Sequence, residues 1–171
     1  MNLASYPLPH DEAERNAFFA SACIENADSD PFYQELVENV KLRFQVPTAL
    51  VSIVQEGEQW FRAKTGINSH RTGRDVAFCA HAIMQNHVMV VEDATSDMRF
   101  SSNPLVTGDT HIRFYAGAPI ILPTGICPGT VCIIDTKPRH EFTLLDKRDL
   151  GEYAQQVADH IMMTLPDDVA A

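Results

Sequence analysis

The chain has 171 residues, 45% of them hydrophobic, enough to close one sizeable core, and a formal net charge of −10. That balance, with the 13 basic residues scattered, excludes nucleic acid and anionic membrane surfaces as partners, because both need concentrated Lys and Arg. The longest apolar stretches, near residues 114–122 and 129–134, are interrupted and shorter than the about 20 residues of a membrane-spanning helix. The N-terminus lacks the basic start and apolar core of a secretory signal, so a cytoplasmic location is expected.

From residue 11 to about 27, acidic residues come first and Ala13, Ala17, Phe18, Ala20 and Ile24 recur at three and four, which predicts a helix. A second helix starts at Pro31 behind a capping Asp30. Phe32, Leu36, Val37, Val40 and Phe44 form its apolar stripe, and Pro47 closes it. Residues 48–55 and 59–65 read as a hairpin about the turn Glu56-Gly57-Glu58, with Trp60 covering the sheet edge. Residues 66–73 read as a polar loop. Residues 74–86 form a short helix whose Val76, Ala80, Ile83 and Met84 cover the sheet, and residues 87–92 a brief strand.

Residues 92–111 are polar and turn-rich, as a functional loop would be; Asp97 and Arg99 can pair across Met98, and Asn103-Pro104 turns the chain. Residues 112–122 and 129–134 are two antiparallel strands separated by Pro123, Gly125, Pro128 and Gly129, and they are expected at the centre of the sheet. Arg113, Tyr115 and Gly117, with Asp135 at the far end, suggest a side-chain row facing a partly polar cavity. Thr143 and Asp146 make a capping pair for a long last helix along Leu145, Leu150, Ala154, Val157, Ile161 and Leu165, stopped by Pro166. The order predicts an α+β domain with an antiparallel sheet over residues 31–165. Residues 1–30 are then an extension bearing a helix, and 166–171 a frayed acidic tail.

Cysteines 23, 79, 127 and 132 are irregularly spaced and read as reduced thiols; Cys127 and Cys132 are placed to approach each other across the central loop. Zinc is disfavoured at Cys79, His81 and His87 because paired ligand spacing is absent, while haem or thiol sensing there stays open. Nucleophilic catalysis by Cys79 needs an activating base, and His81, two residues away, does not face it on a helix. No nucleophile elbow or dinucleotide fingerprint occurs. Asp93, Asp97, Arg99, Arg113 and Asp135 either pin the long loop to the sheet as internal ion pairs, or let Arg99 or Arg113 grip a carboxylate or phosphate.

RDVAFCAHAI at 74–83, VVEDA at 90–94, DMRF at 97–100, NPLVTG at 103–108, IRFYAGAP at 112–119 and GTVCIID at 129–135 together resemble the GAF domain family. More narrowly, they resemble the subtype found in bacterial sensor histidine kinases and diguanylate cyclases. The resemblance covers residues 31–165 and implies a central antiparallel sheet of five or six strands. Terminal helices would pack on one side, and a helix and loop would roof a ligand cavity on the other. The ligand-binding positions expected in this fold are Phe78, Cys79, His81, Asp97, Arg99, Phe100, Arg113, Tyr115 and Asp135.

The Asn-Lys-x-x-x-Phe-x-x-x-Asp-Glu pattern of cyclic-nucleotide GAF domains is missing. The cysteine pattern of GAF-type methionine sulfoxide reductases is not reproduced, and haem or a tetrapyrrole is disfavoured as cofactor, which leaves the cofactor unknown. The expectation is a non-catalytic module in bacterial signal transduction that senses an unidentified small molecule, forms a homodimer through its terminal helices and acts on a signalling output partner. The alternatives are a structural dimerisation module without ligand, or a cysteine-based redox sensor or enzyme.

Overall fold

A computed structural model describes residues 6–22, 24 and 30–170. Six strands form one antiparallel sheet: β1 (Thr48–Val54), β2 (Glu58–Thr65), β3 (Arg71–Gly73), β4 (Met89–Val91), β5 (Phe114–Ile120) and β6 (Gly129–Asp135), in the order β3-β2-β1-β6-β5-β4. The strand pair expected at the centre is β5 and β6, but the middle of the sheet is β1 against β6. β5 lies one place out because β4 adds to its far edge. The polar loop expected at 66–73 contributes the short edge strand β3, whose Gln59↔Thr72 pairing with β2 is joined by a Gln59-to-Thr72 side-chain hydrogen bond of 2.9 Å.

Every residue of β1 and β5 is buried, so alternate side chains serve two different layers. Ala49, Val51, Phe114, Ala116, Ala118, Val131 and Ile133 face helices α2 (Pro31–Phe44) and α5 (Leu144–Thr164), whose buried stripes include Leu36, Val37, Val40, Leu150, Ala154, Val157 and Ile161. A fully buried Val or Ile in this layer contributes about 1.5–3 kcal/mol of transfer free energy. Each helix starts where its local chemistry dictates. Asp30 accepts from Phe32 N with Pro31 at the first position, and Thr143 and Asp146 form a reciprocal capping box. α2 ends at Phe44, before Pro47, because Gln45 adopts the left-handed conformation (φ 51°).

α1 (Glu12–Ala22) is shorter than the helix expected to residue 27; residues 23 and 25–29 lie outside the described residues. Its buried side chains are Arg15 and Ala22, while Ala13, Ala17 and Ala20 of the expected stripe are exposed. The helix turns this way because Arg15 docks on the sheet end. Its Nε donates to the Cys127 carbonyl at 2.8 Å, a second nitrogen to the Val54 carbonyl, and a third to Glu12 at 2.7 Å. Glu12 also accepts from Arg74, which reaches the Gln55 carbonyl at 3.1 Å. Both guanidinium side chains are 0% exposed and share one carboxylate. Burial pushes the Glu12 carboxyl up, but the Arg74 and Arg15 charges outweigh it and hold it below its ordinary value.

Arg74 opens the segment expected as one helix over 74–86. It is instead a 3-10 turn at Arg74–Val76 followed by α3 (Cys79–Ala82), because the chain turns extended at Ala77 (φ −77°, ψ 122°). Met84, expected on the sheet, is therefore exposed, and Phe78 and Cys79 take the buried side. The long loop contains a 3-10 turn at Ala94–Ser96 and α4 (Pro104–Thr107). Residues Asp167–Ala170, expected to fray, form a last helical turn, α6, with Asp167 and Asp168 at its positive end.

Candidate functional site

The second face of the sheet carries Leu50, Val54, Tyr115 and Cys132, covered by Phe78 and Cys79 at α3 and by Phe100, Val106 and Ile112 of the long loop. The loop is tied down by Asn103, whose side chain caps α4 through Leu105 N and donates to the Val76 carbonyl at 3.0 Å. Beneath this roof lies a cavity of about 50 Å³. Leu50, Tyr115, Cys132 and Ile134 form its floor, Gln59, Phe61, Ile67, Ser69 and Thr72 one wall, and Phe78, Cys79, Leu105, Thr110 and Ile112 the other. None of these side chains is an Asp, Glu, Lys, Arg or His, and the polar ones are hydroxyl, amide or thiol groups, so a charge in the lining can come only from a thiol.

Three of the sequence-predicted ligand positions meet here: Phe78, Cys79 and Tyr115. The Tyr115 ring lies across Gly117, where an added Cβ would stand 2.3 Å from the phenol oxygen, so the glycine is what lets the ring lie flat on the sheet. The ring directs its hydroxyl to Cys79 Sγ at 3.1 Å, and the Thr130 hydroxyl donates to the same sulfur at 3.2 Å. Cys132 Sγ lies 3.9 Å from Cys79 Sγ. Burial pushes the Cys79 thiol up, and hydrogen bonds from Cys132, Thr130, Tyr115 and Ser52 outweigh it, bringing it to about 6. The Cys132 thiol is pushed well up, first by its bond to Cys79 and then by burial, so Cys79 loses the first proton of the pair. Burial likewise raises the Tyr115 phenol well above its ordinary value.

The other predicted positions sit elsewhere. His81 and Phe100 form a layer beside the cavity, with Phe100 stacked on Phe78 at 4.0 Å and the His81 ring edge-on at 4.9 Å. Burial, then the Arg99 charge, lowers the His81 imidazole below its ordinary 6.5, against the pull of Asp97. Asp97 and Arg99 pair with each other through two bonds of 3.0 and 2.8 Å, as a local loop clamp. Arg113 precedes β5 and donates to the Val106 and Ile112 carbonyls at 2.9 and 3.0 Å, which anchors the end of α4. Asp135 holds Arg139 at 2.7 Å.

Arg139 also donates to the Phe44 and Gln45 carbonyls, and Arg43 pairs with Asp146 and Asp149. These bonds close the chain around an open groove of about 610 Å³ lined by Arg43, Phe44, Arg139, Phe142 and Asp146. Its charges already answer one another, so we place the candidate site in the smaller cavity. The suggested Cys127–Cys132 approach does not occur: Cys127 lies in the loop before β6 and its thiol donates to the Gly129 carbonyl at 3.4 Å, while Cys132 faces Cys79.

The GAF domain profile matches residues 28–163. A curated relative from Pseudomonas aeruginosa, named a cyclic di-GMP phosphodiesterase, is 38% identical over 159 residues; these are 93% of this chain and 27% of the relative, so the chain spans about a quarter of its length. Among solved structures, the type II free methionine-R-sulfoxide reductase of Thermoplasma acidophilum has a TM-score of 0.63 at 15% identity, covering 77% of this chain and 91% of that one. The free methionine-R-sulfoxide reductase of Neisseria meningitidis has a TM-score of 0.63 at 16% identity over 99% of this chain and 98% of that one. A domain of a two-component sensor histidine kinase from Sinorhizobium meliloti has a TM-score of 0.60 at 14% identity, covering 80% and 92%. At these identities the structural likenesses are of fold.

The expectation that the chain is not an enzyme is corrected by these relatives: the 38% identical protein is named a phosphodiesterase, and two proteins of the same fold are named reductases. No described helix is long and apolar enough to cross a membrane. With the six-stranded antiparallel sheet, the roofed cavity on one face and the profile matching most of its length, the chain belongs to the GAF domain family.

Proposed function

We propose that this chain is a GAF module of cyclic di-GMP signalling, which takes a small uncharged molecule in the cavity above β1, β5 and β6 and thereby adjusts the turnover of cyclic di-GMP by a phosphodiesterase. The likeness over 93% of this chain to about a quarter of such an enzyme carries the reading, because the shared part is a single GAF-sized segment. The cavity supplies the ligand chemistry. A lining with no cationic side chain disfavours phosphates, carboxylates and zwitterionic amino acids, whose anionic groups would be desolvated without a partner. A volume of about 50 Å³ admits only a few water-sized groups, at about 10–15 Å³ each.

Native mass spectrometry of gently purified protein tests the reading. A neutral adduct that is lost when Leu105→Trp fills the cavity supports it; a bare mass in both proteins, with no melting shift in a panel of small neutral metabolites, removes it.

The output would pass through a homodimer built on α2 and α5. These helices run antiparallel, with Arg43 near Asp146 at one end and Asp30 bonded to His160 at the other, and they leave Leu42 (75%), Leu144 (82%) and Met163 (81%) exposed. Sedimentation at micromolar concentration tests this, and a monomer that persists there contradicts it.

A further inference from the structure

We infer that Cys79 and Cys132 form a dithiol site at which a small hydroperoxide admitted to the cavity is reduced, leaving a disulfide between α3 and β6. The inference rests on the cavity being the ligand site. The two thiols lie 3.9 Å apart, both line that cavity, and both are almost unexposed (2% and 0%). The sulfur of Cys79 is also held by the hydroxyls of Tyr115 and Thr130. Those donors stabilise a thiolate, and the thiol of Cys79 is brought down to about 6. The cavity volume sets the substrate class, since hydrogen peroxide or a short alkyl hydroperoxide fits and a bulky aryl one does not.

The chemistry closes with the groups present. The Cys79 thiolate attacks one peroxide oxygen; an S–O bond forms, the O–O bond breaks, and the departing oxygen leaves as an alcohol or water after taking up, through solvent, the proton that Cys79 gave up on ionising. The Cys132 thiol then attacks the sulfenic sulfur, an S–S bond forms and the S–O bond breaks. The hydroxide so released takes the Cys132 proton and departs as water. The peroxide gains two electrons and the two thiols lose them. Bringing the sulfurs from 3.9 Å to about 2.0 Å pulls α3, a single turn, toward the sheet and contracts the cavity, so oxidation would alter ligand binding.

Peptide mass spectrometry of the whole chain after brief treatment with hydrogen peroxide is the test. The expected result is a Cys79–Cys132 linked peptide, and in Cys132→Ser a dimedone adduct on Cys79. Cumene hydroperoxide should act at least tenfold more slowly. Oxidation confined to Cys23 or Cys127, linkage only in denaturant, or equal rates with both peroxides would overturn the inference. A melting shift with small neutral ligands, measured on the same sample, separates the two readings. A shift without a disulfide removes the dithiol site and leaves ligand sensing; a disulfide without a shift does the reverse.

Discussion

Glu12→Gln is the most severe single-atom-scale change we can specify. Arg15 and Arg74 are both 0% exposed and both ion-paired to this one carboxylate, and Arg74 Nε has no hydrogen-bond partner among the described residues. The substitution keeps the shape and removes the charge, leaving two buried guanidinium groups beside each other. Removing one member of a buried pair costs about 3–5 kcal/mol; Glu12 is 17% exposed, which places the loss near the lower end, at about 3 kcal/mol. With a urea m-value of about 2–3 kcal/mol/M, the midpoint falls by about 1 M or more.

The pH dependence gives a second reading. The folded pKa of Glu12 lies below its ordinary 4.5, so its stabilisation is complete above that value and is lost as pH falls through the folded one. The gap between wild type and Glu12→Gln should therefore be full at pH 7 and should close under acid, because the protonated wild-type side chain then matches the glutamine. A difference below 0.5 kcal/mol, or one that stays constant down to pH 3, would refute the buried-network account.

Tyr115→Phe removes the hydroxyl held by Cys79 and should cost about 1 kcal/mol in stability; the thiol pKa, followed by pH-dependent labelling, should rise. Gly117→Ala puts a methyl 2.3 Å from the Tyr115 oxygen, so the ring must leave its seat. A loss of about 1–3 kcal/mol is expected, with a changed near-ultraviolet dichroism that reports the moved tyrosine. Thr143→Ala breaks the capping box of α5 and should lower stability by about 0.5–2 kcal/mol, without altering thiol labelling at Cys79.

Local chemistry was legible in the sequence wherever the partner lies within one turn. Asp30 before Pro31, Thr143 three residues before Asp146 and Asp97 beside Arg99 could all be read directly. Strand parity was also readable: with the β5–β6 pair assigned, Tyr115, Cys132 and Ile134 fall on one face, which is the signal that would have added Cys132 and Ile134 to the site. Arg113 passed for a strand residue because it adjoins β5, yet it ends in the loop carbonyls. Long-range contacts were out of reach. Glu12 and Arg74 are 62 residues apart and Cys79 and Cys132 are 53, and nothing in periodicity pairs them. The wall residues Gln59, Phe61, Ser69 and Thr72 come from a hairpin edge that only the folded sheet turns toward α4.

Cellular cyclic di-GMP, measured in a strain whose own gene carries Leu105→Trp, tests the proposed regulatory role of the cavity most directly. A filled cavity under that loop should fix the module in one state, so the cyclic di-GMP level should shift by several-fold and stop responding to growth conditions while the protein accumulates normally. An unchanged level and an unchanged response, with the folded variant present at wild-type amounts, would contradict the role assigned to the cavity.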